Sequence, residues 1–241
     1  MTDWLGLMEG TWPAAARLRV GPWIVRNGQG GGGRVSCATA DAEWTDADIA
    51  LAEAAHRNLG QAPMFTIREG EDRLDAALAA RGYAVHDPVD LFAAPVTRLT
   101  AEAPRRLSTF PIWPMLAIMR DVWSDSGIGP ERIAVMERAE SPKTSILGRY
   151  DDRAAGCMFV ACNGDVAFVH ALHVLPRFRR QGLARDMMRG AAGWAAAQGA
   201  TRVALAVTRS NDAAQALYRA LGMEVVTHYH YRRHPGSDTA A

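Results

Sequence analysis

The pattern of apolar and polar positions is most regular in the second half of the chain. Val166 to Val174 is an apolar, β-branched run closed by Pro176, which predicts a buried strand. After a short polar stretch, Leu183, Met187, Ala191 and Trp194 recur at helical spacing, with Ala184, Met188 and Ala195 alongside. Val203–Thr208 then reads as a strand, Asn211 to Leu221 as a capped helix, and Val225–Arg233 as a last strand. Upstream, Ile146–Tyr150, Gly156–Ala161 and Val166–Val174 form a predicted antiparallel meander, with turns at Asp151-Asp152 and Asn163-Gly164-Asp165. Two helices, Pro114–Ser126 and Glu131–Glu140, precede it and carry Trp113, Met115, Ile118, Met119, Val122 and Trp123 at core-packing spacing.

The first half is patterned differently. Trp23–Arg26 and Arg34–Thr39 read as strands, so the glycines at 30 to 33 predict a hairpin connection rather than a nucleotide loop. A helix over Asp46–Asn58, a strand over Met64–Arg68, a helix over Asp72–Arg81, Gly82-Tyr83 and a strand over Val89–Val96 follow. Ala101–Phe110, with Pro104, reads as a linker, and Pro235–Ala241 as a tail that frays. The order strand, helix, glycine, strand occurs twice, and placing Gly82 on Gly222 lays Leu78 on Tyr218 and Glu71 on Asn211. The same offset puts Thr39–Trp44 where Arg179–Ala184 stands. This predicts two tandem copies, a degenerate structural one at 1–98 and a working one at 99–241.

Composition excludes more than it identifies. With 49% apolar and 22% charged residues the chain reads as globular, and its net charge of +1 gives no field to recruit nucleic acid or an anionic membrane. No apolar run reaches membrane-helix length and the start lacks signal-peptide regions, so the expectation is cytoplasmic. Cys37, Cys157 and Cys162 are odd in number and lack ligand spacing, which predicts buried free thiols. His228 and His230 share a strand face without a third ligand in view, so no metal is expected.

The chemistry lies between the strand and the helix after it. A glycine-containing turn at a helix N-terminus directs unpaired N–H groups and the positive dipole end at one point, which suits an anion. Arg177, Arg179, Arg180, Arg185 and Arg189 crowd that point, opposed only by Asp186, and a diphosphate is the natural guest. Arg179-x-x-Gly182-x-Ala184 after a strand resembles the acyl-coenzyme A loop of the GNAT superfamily of N-acetyltransferases. Asn211, an alanine-rich helix carrying Tyr218, and Leu221-Gly222-Met223 resemble that superfamily's second signature, in the right order and separation. The resemblance covers roughly Thr144 to Arg233.

The resemblance implies an α/β (α+β) fold with a mixed, mainly antiparallel sheet flanked by helices, and acetyl-coenzyme A as co-substrate. It assigns the diphosphate to the amides of Arg180, Gln181, Gly182, Leu183 and Ala184 beside Arg179. The pantetheine goes to Leu172, His173, Val174 and Asn211, with the amide of Val174 polarising the thioester carbonyl. Tyr218 would be the general acid that protonates the departing thiolate. Relatives place a base at the positions of Phe168 or Ala206, both apolar here. His170, on the strand face of Phe168, resembles one of two histidines of the arylalkylamine N-acetyltransferases and is the candidate base, while His173 is expected on the opposite face. The superfamily also adds one more strand after the last seen here, so either the sheet is shorter or a segment of the first copy completes it. The implied acceptor is an amine of a small molecule or peptide, attacking the thioester directly. Neither nucleic acid nor membrane is an expected partner, and a homodimer is allowed. The rival reading is a non-catalytic acyl-coenzyme A-binding or sensing module.

Overall fold

Paired aspartates at 151 and 152, with φ of 48° and 58°, and Gly164 at 59° turn the chain back on itself twice, as a two-residue hairpin turn requires. The computed structural model describes residues 2–234; the tail expected to fray, 235–241, lies outside them. In chain order the elements are α1 (Trp4–Thr11), β1 (Ala16–Val20), β2 (Trp23–Asn27), β3 (Ala38–Ala40), α2 (Ile49–Asn58), β4 (Met64–Arg68), α3 (Asp72–Ala80) and β5 (Ala84–Pro95). They continue with α4 (Val96–Thr100), β6 (Thr109–Ile112), α5 (Ala117–Ser124), α6 (Pro130–Arg138), β7 (Lys143–Tyr150), β8 (Arg153–Asn163) and β9 (Val166–Val174). The last are α7 (Leu183–Ala197), β10 (Arg202–Thr208), α8 (Asp212–Ala220) and β11 (Glu224–Arg233).

Two compact units divide the chain, and neither is one continuous stretch. The larger takes Met1–Pro13, Leu91–Val207 and Asn211–Val226; the smaller takes Ala14–Asp90, Thr208–Ser210 and the chain from Thr227. The boundary expected at residue 98 therefore does not separate them. Helix α1 and the second half of β5 belong to the larger unit, and most of β11 belongs to the smaller. Alternating patterns reveal strands but not which sheet edge each strand joins.

In the larger unit the strand order is β5-β10-β9-β8-β7-β6. Strands β6 to β9 pair antiparallel in succession, and β9 pairs β10 in parallel. Leu91–Pro95 of β5 thus supplies the strand beyond β10, so a segment of the first half completes this sheet. Gly148 and Gly156 face α7, where an added Cβ would meet Met187. Cys157 and Phe159 alternate onto the opposite face, against Met119 of α5 and Trp12 after α1. The sheet is therefore covered on both faces, which accounts for its near-continuous apolar strands.

The smaller unit orders its strands β1-β2-β3-β4-β11 around a core of Trp23, Val25, Ile49, Phe65, Leu74, Leu78 and Tyr83. The strand expected over Arg34–Thr39 shortens to β3, because Gly33–Val35 winds into a 3-10 turn after the positive φ of Gly32. Elements α1, β1 and β6 have no counterpart in the pattern-based reading, and β5 starts five residues earlier than the expected Val89.

Candidate active site

The loop between β9 and α7 is built to leave backbone donors exposed. After a 3-10 turn at Pro176–Phe178, Arg180 and Gly182 take left-handed conformations, with φ of 63° and 80°. Gly182 is the N-cap of α7 and offers no side-chain capping bond. The first amides of the helix, which have no intrahelical acceptor, are thus left without a cap. Leu183 is buried and anchors the helix start, while Arg180, Gln181 and Gly182 are exposed. Arg179 folds back so that its Nε donates to the Val174 carbonyl at 3.0 Å, and the Gln181 side-chain oxygen accepts from Tyr150 at 3.3 Å.

The arginines around this point are more closely paired than the sequence suggests. Asp186, its side chain 5% exposed, accepts from the Arg105 Nε at 2.5 Å and from the Arg105 amide at 3.2 Å. Arg189 pairs with Glu102. The segment read as a linker, Ala101–Phe110, is therefore fastened to α7 by two ion pairs and runs into β6. Arg105 also lies over the Tyr150 ring, 5.3 Å from its centroid, and adds a guanidinium beside Gly182 that sequence spacing could not place.

Strand β9 parts from β10 at its end. The register between them runs from Arg202↔Val166 to Leu205↔Val169 and stops there, although β9 continues to Val174 and β10 to Thr208. Beyond Val169 the β8 register also shifts, from Phe159↔His170 to Cys157↔His173, so one residue is inserted in β9. Ala171, with φ of 52°, marks this bulge, and the Trp123 Nε1 of α5 donates to its carbonyl at 2.8 Å. A Cβ at Gly156 would lie 2.6 Å from the His173 carbonyl oxygen, so only glycine lets β8 approach there. The bulge changes which residues share a face. Since Cys157 and Phe159 point the same way, so do His173 and His170; the expectation that His173 faces away is corrected.

The predicted residues sit in distinct surroundings. His170 is 4% exposed, with Trp12 tilted against its ring at 4.8 Å and Phe159 and Phe168 stacked on it, and its Nε2 lies 2.9 Å from the Thr11 hydroxyl. That hydroxyl donates to the Met8 carbonyl at 2.8 Å, so His170 Nε2–H is the donor between the two. His173 faces Asp125 at the end of α5, with Nε2 3.6 Å from the carboxylate. Desolvation, with the nearby Arg179 charge, holds its pKa below the ordinary histidine value. Tyr218 packs on Phe92 at 5.9 Å, and burial pushes its phenol up to about 12. Its hydroxyl has no hydrogen-bond partner among the described residues. Asn211 caps α8, its side chain accepting from the Ala214 amide at 3.1 Å. Leu172 and Val174 lie on the stretch of β9 that has parted from β10, and Ala184 in the first turn of α7.

Elsewhere, Cys37, Cys157 and Cys162 are buried free thiols. His230 lies 2.6 Å from Asp75, and His228 lies 3.8 Å from Glu69. Among the described residues no group of three or more metal-ligating side chains is present, and no helix is long and apolar enough to cross a membrane.

Comparison with known proteins agrees with this geometry. Residues 113–223 match the model of the acetyltransferase (GNAT) family. The chain is similar to an uncharacterised N-acetyltransferase, YobR, of Bacillus subtilis (strain 168), 26% identical over 238 residues that cover 94% of this chain and 95% of that protein. Among solved structures it is similar to a GCN5-related N-acetyltransferase from Kribbella flavida, with TM-score 0.69, 20% identity and coverage of 96% and 94%. It is also similar to a tandem GNAT protein from the clavulanic acid biosynthesis pathway, with TM-score 0.59, 14% identity and coverage of 81% and 74%. Residues 113–223, which hold the splayed β9–β10 pair and the uncapped loop at Gly182, are thus the part of this chain that is similar to the acetyltransferase (GNAT) family.

Proposed function

We propose that the protein transfers an acetyl group from acetyl-coenzyme A to an amine of a small molecule or peptide by direct attack. The observation that carries this reading is the uncapped N-terminus of α7 at Gly182, lying at the end of a strand that has parted from its parallel neighbour. The residues fit the donor. Amides of Arg180 to Ala184 suit a diphosphate, and the free edge of β9 at Leu172–Val174 can pair with the amide groups of pantetheine as a further strand would. Asn211, already a helix cap at the start of α8, is proposed to help hold the pantetheine arm, and the amide of Val174 to polarise the thioester carbonyl. The bound thioester supplies an activated acyl carbon.

Tyr218 is the proposed general acid. A phenol with pKa near 12 is fully protonated at neutral pH, and its hydroxyl makes no competing bond among the described residues. His170 is better suited to support than to reaction, since Thr11 engages its Nε2 and Trp12 covers its ring.

The smaller unit is proposed to be a degenerate copy. Helix α3 and α8 are both nine residues long and begin 140 residues apart, at Asp72 and Asp212, and each is followed by a glycine with positive φ, Gly82 and Gly222. The rival reading, a non-catalytic acyl-coenzyme A-binding module, draws on the apolar Phe168 and Ala206 and on the engaged His170. Release of free thiol from acetyl-coenzyme A with a panel of amines separates the two. Acceptor-dependent release supports the enzyme, and binding without release supports the module.

A further inference from the structure

The geometry assigns the general base to His173, held by Asp125 as its positioning partner, on the face that the Ala171 bulge turns toward α5. This rests on the acetyltransferase reading and supplies the proton acceptor that reading lacks. Three observations bring the pair together. The inserted residue in β9 moves His173 onto the face of α5, and the Trp123 bond to the Ala171 carbonyl fixes the bulge from that same helix. Two residues later, Asp125 caps α5 and sets its carboxylate 3.6 Å from the His173 Nε2. A carboxylate at a helix C-terminus is disfavoured by the dipole, so helix stability does not explain this placement.

The third observation is the state of the ring. Nε2 is buried and has no hydrogen bond among the described residues, while the side chain as a whole remains 12% exposed. With Nε2 sealed and turned to Asp125, exchange with a substrate must use Nδ1. At 3.6 Å from Nε2 the carboxylate favours the tautomer with the proton on Nε2 and a lone pair on Nδ1. Two charged groups face the ring, Asp125 from α5 and Arg179 from the loop. Desolvation and Arg179 favour the neutral imidazole, whereas Asp125 stabilises the imidazolium once formed. That balance suits a base that must be empty at neutral pH and yet take a proton.

The step balances as follows. Nδ1 takes one proton from the acceptor ammonium and later returns it to solvent. The freed amine pair forms the N–C bond at the thioester carbonyl, and the C–S bond breaks as the tetrahedral carbon collapses. Tyr218 gives its proton to the thiolate, and its phenolate is refilled by the second proton leaving the nitrogen. The products are the amide, the free thiol and one proton.

The test uses the full chain with acetyl-coenzyme A and two acceptor probes, phenylethylamine and spermidine. His173→Gln should lower turnover at pH 7 by about 10²–10⁴-fold, with recovery at high pH where the amine arrives neutral. Asp125→Asn should move the acidic limb of the rate profile about one unit lower, because loss of the carboxylate lowers the imidazole pKa. Titration of the His173 ring by NMR should show the same displacement without any acceptor, which keeps the test decisive if His173→Gln fails to fold. A wild-type acidic limb in His173→Gln, or an Asp125→Asn ring titration that does not move, overturns the assignment while leaving the acetyltransferase reading intact. No thiol release by the wild type with either probe overturns both.

Discussion

Helix α7 in the larger unit and α2 in the smaller start in opposite ways. Leading into α2 is a 3-10 turn, Asp46–Asp48, where Thr45 and Asp48 form a capping box, with the Asp48 carboxylate accepting from the Thr45 amide at 2.8 Å and hydroxyl at 2.7 Å. Asp46 and Asp48 place two negative charges in the 3-10 turn that runs directly into α2 at Ile49. The chain's own carboxylates thus occupy the place where an anion would sit. At α7 the N-cap is Gly182, with no side-chain cap and with arginines at 179, 180 and 185. A second pair repeats the lesson. Leu78 on α3 is fully buried and carries no donor, whereas Tyr218 on α8 brings a phenol whose hydroxyl is unpaired among the described residues. One helix start is finished by its own side chains; the other is not.

The largest effect that would sharpen this contrast comes from Tyr218. Tyr218→Phe keeps ring packing on Phe92 and should keep coenzyme A affinity, while slowing acetyl transfer by about 10²–10⁴-fold in steady-state thiol release. Normal turnover would reduce Tyr218 to the level of Leu78, a packing residue. Next is Gly182→Val, which forces a β-branched side chain into a left-handed conformation and covers the amides. Calorimetry should show coenzyme A affinity falling at least about tenfold, with a stability cost of about 1–2 kcal/mol in the left-handed turn. Smaller again is Thr45→Ala, which removes the cap of the other helix. It should cost about 1 kcal/mol in thermal unfolding and leave coenzyme A binding untouched.

The pH dependence of stability offers a gentler probe of the smaller unit. Asp75 accepts from Arg232 and His230, and these bonds hold its carboxyl at about 2 against an ordinary 3.8. A depressed carboxylate pKa contributes stability that is present above the unfolded value and lost as pH falls from there toward the folded one. Acid unfolding should therefore show a loss of roughly 2 kcal/mol between about pH 4 and 2 that Asp75→Asn removes. His56 works in the same direction at higher pH. It is fully buried, and desolvation lowers its pKa, so the folded unit loses stability as pH drops below about 6.5. Fluorescence-monitored unfolding across that range checks the sign.

Much of this was legible in the sequence because the candidate site is local. Strand, glycine loop and helix follow each other within Val166–Ala197, so periodicity and the position of Gly182 disclose them together. The hidden parts depend on distant segments or on single backbone angles. Nothing in Met8-Glu9-Gly10-Thr11 tells that Thr11 reaches His170, 159 residues away, or that Arg105 reaches Asp186. The bulge at Ala171 is a conformational choice of an ordinary alanine, held by a tryptophan from another helix. It inverts the facing of His173, and strict alternation could not anticipate it. The division between units was missed for a related reason, since β5 and β11 each read as one strand yet are shared between two units.

The account turns on one unit binding acyl-coenzyme A and the other having filled its own site. Isothermal titration of the full chain with coenzyme A measures this directly. The expected stoichiometry is one molecule per chain, abolished by Gly182→Val and unchanged by Thr45→Ala. Two sites per chain, or one site that survives Gly182→Val and disappears with Thr45→Ala, would contradict it.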